Sequence, residues 1–354
     1  IHGAAMSYEM WATNLIEHTF LDYLLENGYD VWLNDSRLSP TNAECYKQFS
    51  LDAVRLDQKA AIDHVRKITR CDKIAVVAHC LGSISTLMGL LDGSIEGVGS
   101  LVSSQVSVNP ISGVVNTIKR IFQLLPFYRH ILRQDLFDVH TSPDTNLLNR
   151  IVNQGLRFYP YPKNQLCDSA LCHRASLCYG TLYQHEHLNQ LVHDYQGEFF
   201  GTVNLTTMNH MLYIVTAQKL ISYDKKNVYV TEENVKKNLN FPVSLIHGDK
   251  NVVFDIKSSR KSYDTLVNYA QNPDFYSIHE IAGYGHLDCW WGNNSYKDVF
   301  PKVLDHLEKT KNNYGYALKG NHDVQGSHVG ISVIKKIINE ELHKLGNDSL
   351  HGNA

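Results

Sequence analysis

The stretch best suited to chemistry is Ala78-His79-Cys80-Leu81-Gly82-Ser83, directly after the apolar run Ile74-Ala75-Val76-Val77. This pattern reads as a buried strand feeding a sharp turn into a helix. Such a turn is a nucleophile elbow: small residues two before and two after the centre, here Ala78 and Gly82, let a strained turn pack while the central side chain stands free. The central position holds Cys80. A thiol there points to acyl transfer through a thioester, because a thiolate polarised by histidine is a strong nucleophile near neutral pH. Taken alone, the pentapeptide also fits an inert buried thiol. A second group favours chemistry. Gly283-Tyr284-Gly285-His286-Leu287-Asp288-Cys289 puts His286 on a glycine-flanked loop after the last expected strand, where a base belongs. The residue that orients the imidazole is expected on the turn after the penultimate strand, three beyond a glycine. Counting from Gly248 gives Asn251, with Asp249 as the rival two residues earlier. A neutral amide suffices there if thiolate and imidazolium stabilise each other as an ion pair. The oxyanion is expected on the backbone amides of Leu81 and of Ala4, which follows His2-Gly3. Asp288 reads as a carboxylate that orients the loop. Convergence of His79, Cys80, His286 and Cys289 on a metal is the minor alternative, since structural zinc sites draw on paired close spacings and an elbow is too constrained to supply them.

The elements that must hold these groups alternate strand and helix. Ile1-His2-Gly3-Ala4-Ala5 reads as the end of a central strand and a His-Gly turn, so the first strands of the sheet are expected outside this chain. Leu15 to Asn27 is amphipathic and stops at Gly28. Tyr29 to Leu33 is the next expected strand, Asp57 to Thr69 a helix, then the elbow strand and a helix from about Ser83. Gly99 to Val108, Val243 to Gly248 and Phe275 to Ile281 are further strands, and Tyr296 to Lys309 is a final helix. This alternation predicts a mostly parallel sheet flanked by helices, and with the elbow an α/β-hydrolase fold. From 109 to 240 it gives way to helical segments dense in leucine and aromatics, such as Ile121 to Tyr128, read as a large inserted helical cap suited to roofing an apolar substrate. The expected division is core 1–108, cap 109–240, core 241–310 and an extension 311–354 with one amphipathic helix, Ile331 to Leu345, packed on the body or used for a protein partner.

Composition narrows the class. The 354 residues are 43% hydrophobic and 19% charged with a formal net charge of -3, an ordinary globular balance without a basic stripe for nucleic acid. No apolar run reaches the roughly 18 residues of a membrane span. The seven cysteines are odd in number and lack Cys-x-x-Cys pairs, so counting indicates neither a disulfide framework nor a zinc site, although Cys167 and Cys172 are spaced to bridge in an oxidising compartment. Gly93 to Gly99 lacks dinucleotide-binding spacing, and no cofactor is expected.

His2-Gly3-Ala4, Asn27-Gly28-Tyr29-Asp30-Val31-Trp32, the elbow, Tyr183-Gln184-His185-Glu186-His187-Leu188, His247 to Asn251 and Gly283 to Cys289 together give a resemblance. They resemble the α/β-hydrolase domain fused behind the flavin domains of glucose-methanol-choline oxidoreductases of the cholesterol oxidase-like kind, over residues 1 to about 310. Asn27 to Trp32 is shared more widely with acid lipases. The resemblance implies a Cys-His pair, a lipid- or sterol-like substrate and association with a flavin oxidoreductase. No flavin-binding motif lies in this chain. Esterase or thioesterase chemistry is the leading expectation, with acyl transfer to another acceptor and a non-catalytic binding module as alternatives.

Overall fold

β-branched and small apolar residues dominate four runs, which form one parallel sheet: β1 (Ile74–His79), β2 (Val98–Ser104), β5 (Val243–Gly248) and β6 (Tyr276–Ile281), in the order β1-β2-β5-β6. The computed structural model describes residues 1–113, 135–138 and 165–314. Every residue of β2 and β5 is buried, as expected of parallel strands covered on both faces. The register pairs His79 with Ser104, Ser104 with Ile246 and Gly248 with Ile281, so the strands end together at one rim. In such sheets the rim beyond the carboxyl ends is where sites are built. Ile1 flanks β1, its nitrogen donating to Val77 O at 2.8 Å and its carbonyl accepting from His79 N at 3.1 Å.

Helix boundaries follow caps and buried faces. Helix α1 is Phe20–Glu26, shorter than the Leu15 start expected from amphipathicity, because Thr19 caps it by accepting from Asp22 N at 3.1 Å. Helix α2, Leu51–Thr69, begins six residues before Asp57, since Leu51, Val54, Gln58 and Ile62 extend the buried face by an i, i+3/i+4 pattern. It ends on Arg70 in the left-handed region. Helix α3, Leu81–Leu91, leaves the elbow and is buried throughout. Tyr29 to Leu33 is not a strand. Strand propensity needs a neighbour to pair with, and no described strand pairs there. Strand β2 stops at Ser104, well before Val108, because Gln105 adopts a φ of 72°.

Within 109–240 the described elements are the antiparallel pair β3 (Leu136–Asp138) and β4 (Thr202–Asn204), with helices α4 (Ala170–Tyr179), α5 (Gln190–Tyr195), α6 (Leu205–Ala217) and α7 (Glu232–Asn238). Ile121 to Tyr128 and Ile331 to Leu345 lie outside the described residues. Beyond β5 come α8 (Lys257–Tyr269), α9 (Asp288–Trp291), α10 (Ser295–Asp298) and α11 (Phe300–Thr310). The single helix expected over Tyr296 to Lys309 is thus two, because Pro301 sits in the first turn of α11, where it has no N–H to continue a preceding helix. Below the His286 loop, Trp290 meets Trp11 at 4.8 Å and Phe20 at 5.0 Å between ring centroids, and Phe20 meets Phe300 at 5.1 Å. Each such pair adds roughly 0.5–1.5 kcal/mol beyond its buried area, so α9 is a rigid anchor for the loop before it. No helix among the described residues is long and apolar enough to cross a membrane.

Candidate active site

Cys80 occupies the turn from β1 into α3 with φ 53° and ψ −123°, a strained conformation for a residue with a side chain. Its amide donates to Ser104 O at 3.1 Å, which ties the turn to β2. Gly82 is required by close approach: a Cβ there would stand 2.2 Å from His2 O. That contact brings the His-Gly turn over the start of α3. His2 holds the turn by donating from Nδ1 to Gly3 O at 2.8 Å and accepting at Nε2 from Ser36 N at 3.1 Å. Burial drives the His2 pKa down to about 4, so it stays neutral and keeps both bonds. The backbone amides of Leu81 and Ala4, the pair expected to hold an oxyanion, both act on the Cys80 thiol in the sense that favours negative charge on its sulfur.

His286 is carried on the loop between β6 and α9. Its amide donates to Leu182 O at 3.0 Å, and the next amide, Leu287 N, donates to the same carbonyl at 2.7 Å. Asp288, fully buried, orients the loop by accepting from Gly285 N at 2.8 Å and pairing with His187 Nδ1 at 2.8 Å. The Cys80 sulfur and one nitrogen each from His79 and His286 lie within 4.8 Å of one another. The structure therefore brings together the thiol and the imidazole that the sequence separates by more than half its length. Cys289 turns away, its sulfur facing Gly285 O at 3.6 Å.

Asn251, not Asp249, touches the imidazole. Asn251 Nδ2 is 3.0 Å from His286 Nδ1, whereas Asp249 Oδ1 accepts from Gly283 N at 2.7 Å and so shapes the loop rather than the ring. The orientation of the Asn251 amide follows from its other partners. Val253 N and Phe254 N donate to its Oδ1 at 2.9 and 3.2 Å, and its Nδ2 also donates to Gln105 Oε1 at 3.0 Å. That Gln105 oxygen accepts from Gly248 N as well, at 3.1 Å. Asn251 thus presents N–H to His286, and Nδ1 must accept. The neutral ring then carries its proton on Nε2, the nitrogen left for the thiol. Gln105, whose positive φ aims its side chain into the network, was not singled out from sequence, and only its place just after a strand could have drawn attention to it.

His79 has the same tautomer. Trp290 Nε1 donates to its Nδ1 at 3.1 Å, leaving Nε2 protonated, buried and, among the described residues, without a hydrogen-bond partner. Two rings that present N–H rather than lone pairs make His79, Cys80 and His286 a poor metal cradle. They make a good cradle for negative charge at the sulfur.

The expected resting ion pair does not fit this environment. Burial pushes the Cys80 thiol up to about 12 against the pull of the Leu81 and Ala4 amides, and burial, then the neighbouring His79 and His247, hold His286 well below the usual range. Both groups rest neutral. Attack requires the thiol proton to leave for solvent, or for His286 Nε2 after its own proton has moved to Nδ1 at the expense of the Asn251 bond. Cys167 and Cys172, spaced to bridge, are free thiols.

No family model matches the chain. Human gastric triacylglycerol lipase is 22% identical over 340 residues, covering 88% of this chain and 79% of the lipase. A lipase of Caenorhabditis elegans is 22% identical over 329 residues, covering 86% of this chain and 78% of its own. Among solved structures, carboxylesterases of Nitrososphaera gargenis superpose with a TM-score of 0.52 at 12% identity, covering 88% of this chain and 89% of theirs. A bromoperoxidase from Bacillus anthracis superposes with a TM-score of 0.51 at 14% identity, covering 87% of this chain and 90% of its own. The chain has an α/β-hydrolase fold.

Proposed function

We propose that this α/β-hydrolase acts on apolar, lipid- or sterol-like esters or thioesters by acyl transfer through Cys80, slowly and with a long-lived acyl-enzyme. The observation that carries the reading is the convergence on one sulfur of a strained elbow, two backbone amides and an imidazole. Ester chemistry is supported by the lipase relatives, and the apolar substrate by the lipids those enzymes are named for. In the proposed step the thiol loses its proton, sulfur bonds the acyl carbon, and the alcohol leaves with a proton. The oxyanion is held by Leu81 N–H and Ala4 N–H. Slowness follows from Asn251: an imidazole protonated on Nε2 is a donor to the sulfur, not a base for the thiol or for the deacylating water. Deacylation by an external alcohol or thiol is the transferase form of the same reaction.

The test is turnover of p-nitrophenyl esters of increasing chain length by the unmodified chain and by Cys80→Ala. A burst of one equivalent or less followed by slow turnover, absent in the variant, is expected. Equal rates in the two proteins overturn the reading. One observation favours a second reading, a hydrolase fold used for binding: the neutral, Asn251-locked imidazole beside a buried Cys80, a residue only 8% exposed. It predicts lipid binding without any covalent adduct. The division into core 1–108, cap 109–240, core 241–310 and extension 311–354 is part of the proposal. So are a protein partner for residues 311–354 and association with a flavin oxidoreductase, the latter resting on the motif resemblance.

A further inference from the structure

A second concentration of reactive side chains, sharing no residue with the Cys80 group, lies in the 165–195 segment. The Sγ atoms of Cys167 and Cys172 and one nitrogen each from His185 and His193 all lie within 4.8 Å of one another. They come from three pieces of backbone: the loop running into the first turn of α4, which carries both cysteines, the turn at His185–His187 and helix α5. The Cys172 Sγ to His185 Nε2 distance is 3.5 Å. A tetrahedral zinc with bonds of about 2.3 Å to sulfur and 2.0–2.1 Å to nitrogen has ligand–ligand edges of about 3.3–3.8 Å, so this separation is an edge of such a tetrahedron.

The surroundings set the rings for ligation. His185 Nδ1 donates to Gln165 Oε1 at 2.8 Å, and that oxygen also accepts from His185 N at 3.1 Å, so the Nε2 lone pair is free toward Cys172. This is the outer-shell contact that metal-bound histidines characteristically make. His193 Nδ1 leans on Asp194 Oδ1 at 3.5 Å and the ring pairs with the Cys167 thiol, its buried Nε2 having no hydrogen bond of ordinary geometry among the described residues. Tyr183 OH donates to Gln196 Oε1 at 2.6 Å and lies 3.4 Å from Cys172 Sγ. The contrast with His79 and His286 is chemical: there the outer partners are donors that put N–H at the centre, here the partner is an acceptor that leaves a lone pair.

We propose that Cys167, Cys172, His185 and His193 bind a structural zinc ion. Two thiolates and two imidazoles in a closed tetrahedral set favour Zn²⁺ over harder divalent ions. The reading does not depend on the ester chemistry of Cys80. Its structural role follows from what the bound segment touches. Leu182 O holds the amides of His286 and Leu287, and Gln184 N and His187 Nδ1 both bond Asp288, so the metal would brace the cradle of the His286 loop.

The test is metal content and Co²⁺ substitution of the full chain prepared under reducing conditions. We expect close to one zinc per chain after desalting, and Co²⁺ exchange giving the intense visible absorption of a tetrahedral thiolate site. Cys167→Ser, Cys172→Ser and His193→Ala should each lower zinc content at least tenfold under competition with a chelator, while Cys45→Ser and Cys71→Ser keep it. Should a ligand variant fail to fold, the cobalt spectrum of the unmodified chain still decides. Fewer than 0.1 equivalents of metal after incubation with Zn²⁺, an octahedral cobalt spectrum, or a Cys167–Cys172 disulfide under these conditions would overturn the proposal. Esterase activity need not be measured, so the failure of one reading leaves the other standing.

Discussion

Replacing Asn251 by aspartate inverts the one hydrogen bond that sets the His286 tautomer. The carboxylate would keep the Val253 and Phe254 amides on one oxygen and offer the other to Nδ1, 3.0 Å away, which must then carry the proton. Nε2 becomes a lone pair facing Cys80, and the imidazolium formed during attack gains an anionic partner. Relieving the buried donor opposed to Nδ1–H is worth about 1–3 kcal/mol, and a charge-assisted bond about 1.5–3 kcal/mol, together roughly 2.5–6 kcal/mol. Gln105 offsets part of this. Its Oε1 lies 3.0 Å from the exchanged atom, so the amide must turn and release Gly248 N, a loss of about 1 kcal/mol. A net of about 1.5–5 kcal/mol corresponds to an increase of about 10- to 5 × 10³-fold in turnover. That lies below the roughly 10⁴-fold loss known for the opposite exchange in a serine triad, as a thiol nucleophile depends less on its base. The assay is steady-state ester hydrolysis from pH 6 to 10 with Asn251→Asp and the unmodified chain. The variant should be faster near neutrality and level off, while the unmodified chain keeps rising toward the elevated pKa of its thiol. A folded Asn251→Asp protein with equal or lower turnover across that range would refute the tautomer argument.

Gly82→Ala should strip the elbow of activity and cost several kcal/mol, because its Cβ meets the His2 carbonyl at 2.2 Å and backbone on both sides must move; thermal melting and ester turnover report the two losses. Four buried neutral histidines predict acid lability. Burial lowers His2 and His247 to about 4 and His79 to about 3, and holds His286 well below its usual range, so the stability they confer is whole above the unfolded pKa of about 6.5 and declines as pH falls below it. By pH 5 each unfolded histidine gains about 2 kcal/mol from protonation, about 8 kcal/mol for four, comparable with the whole stability of a domain. Denaturant midpoints at pH 7 and pH 5 check this, and equal values contradict it. Asp288→Asn should remove the partner of His187, whose pKa the Asp288 hydrogen bond raises. That pair contributes fully below about pH 6.5 and is lost as pH rises through the elevated value, so the unmodified protein should lose more stability than the variant between pH 6 and 9.

The elements around the site were legible because short-range rules govern them. Ala78 to Ser83 encodes its turn through the small residues that a tight approach demands, and Gly82 indeed lies against His2 O. Counting three residues from Gly248 reaches the side chain that touches His286, because a turn of fixed geometry links strand end to ring. What failed depended on groups distant in sequence. Tyr29 to Leu33 has strand residues but no described strand beside it, and the ion-pair expectation ignored burial, which acts on Cys80 and His286 in opposite senses and leaves both neutral. The direction of the Asn251 amide is fixed by Val253, Phe254 and Gln105, so residue type alone could not tell donor from acceptor. Cys167 and Cys172 do form a close Cys-x4-Cys pair, but a search for Cys-x-x-Cys passes over it, and His185 and His193 join it only through the fold.

Incubation of the reduced chain with an activated apolar ester, followed by intact mass and peptide mapping, tests the role of Cys80 most directly. A single acyl addition on the peptide containing Cys80, labile to hydroxylamine and lost in Cys80→Ala, is the predicted result. Acylation confined to other cysteines, or none while the same lipid binds, would contradict it.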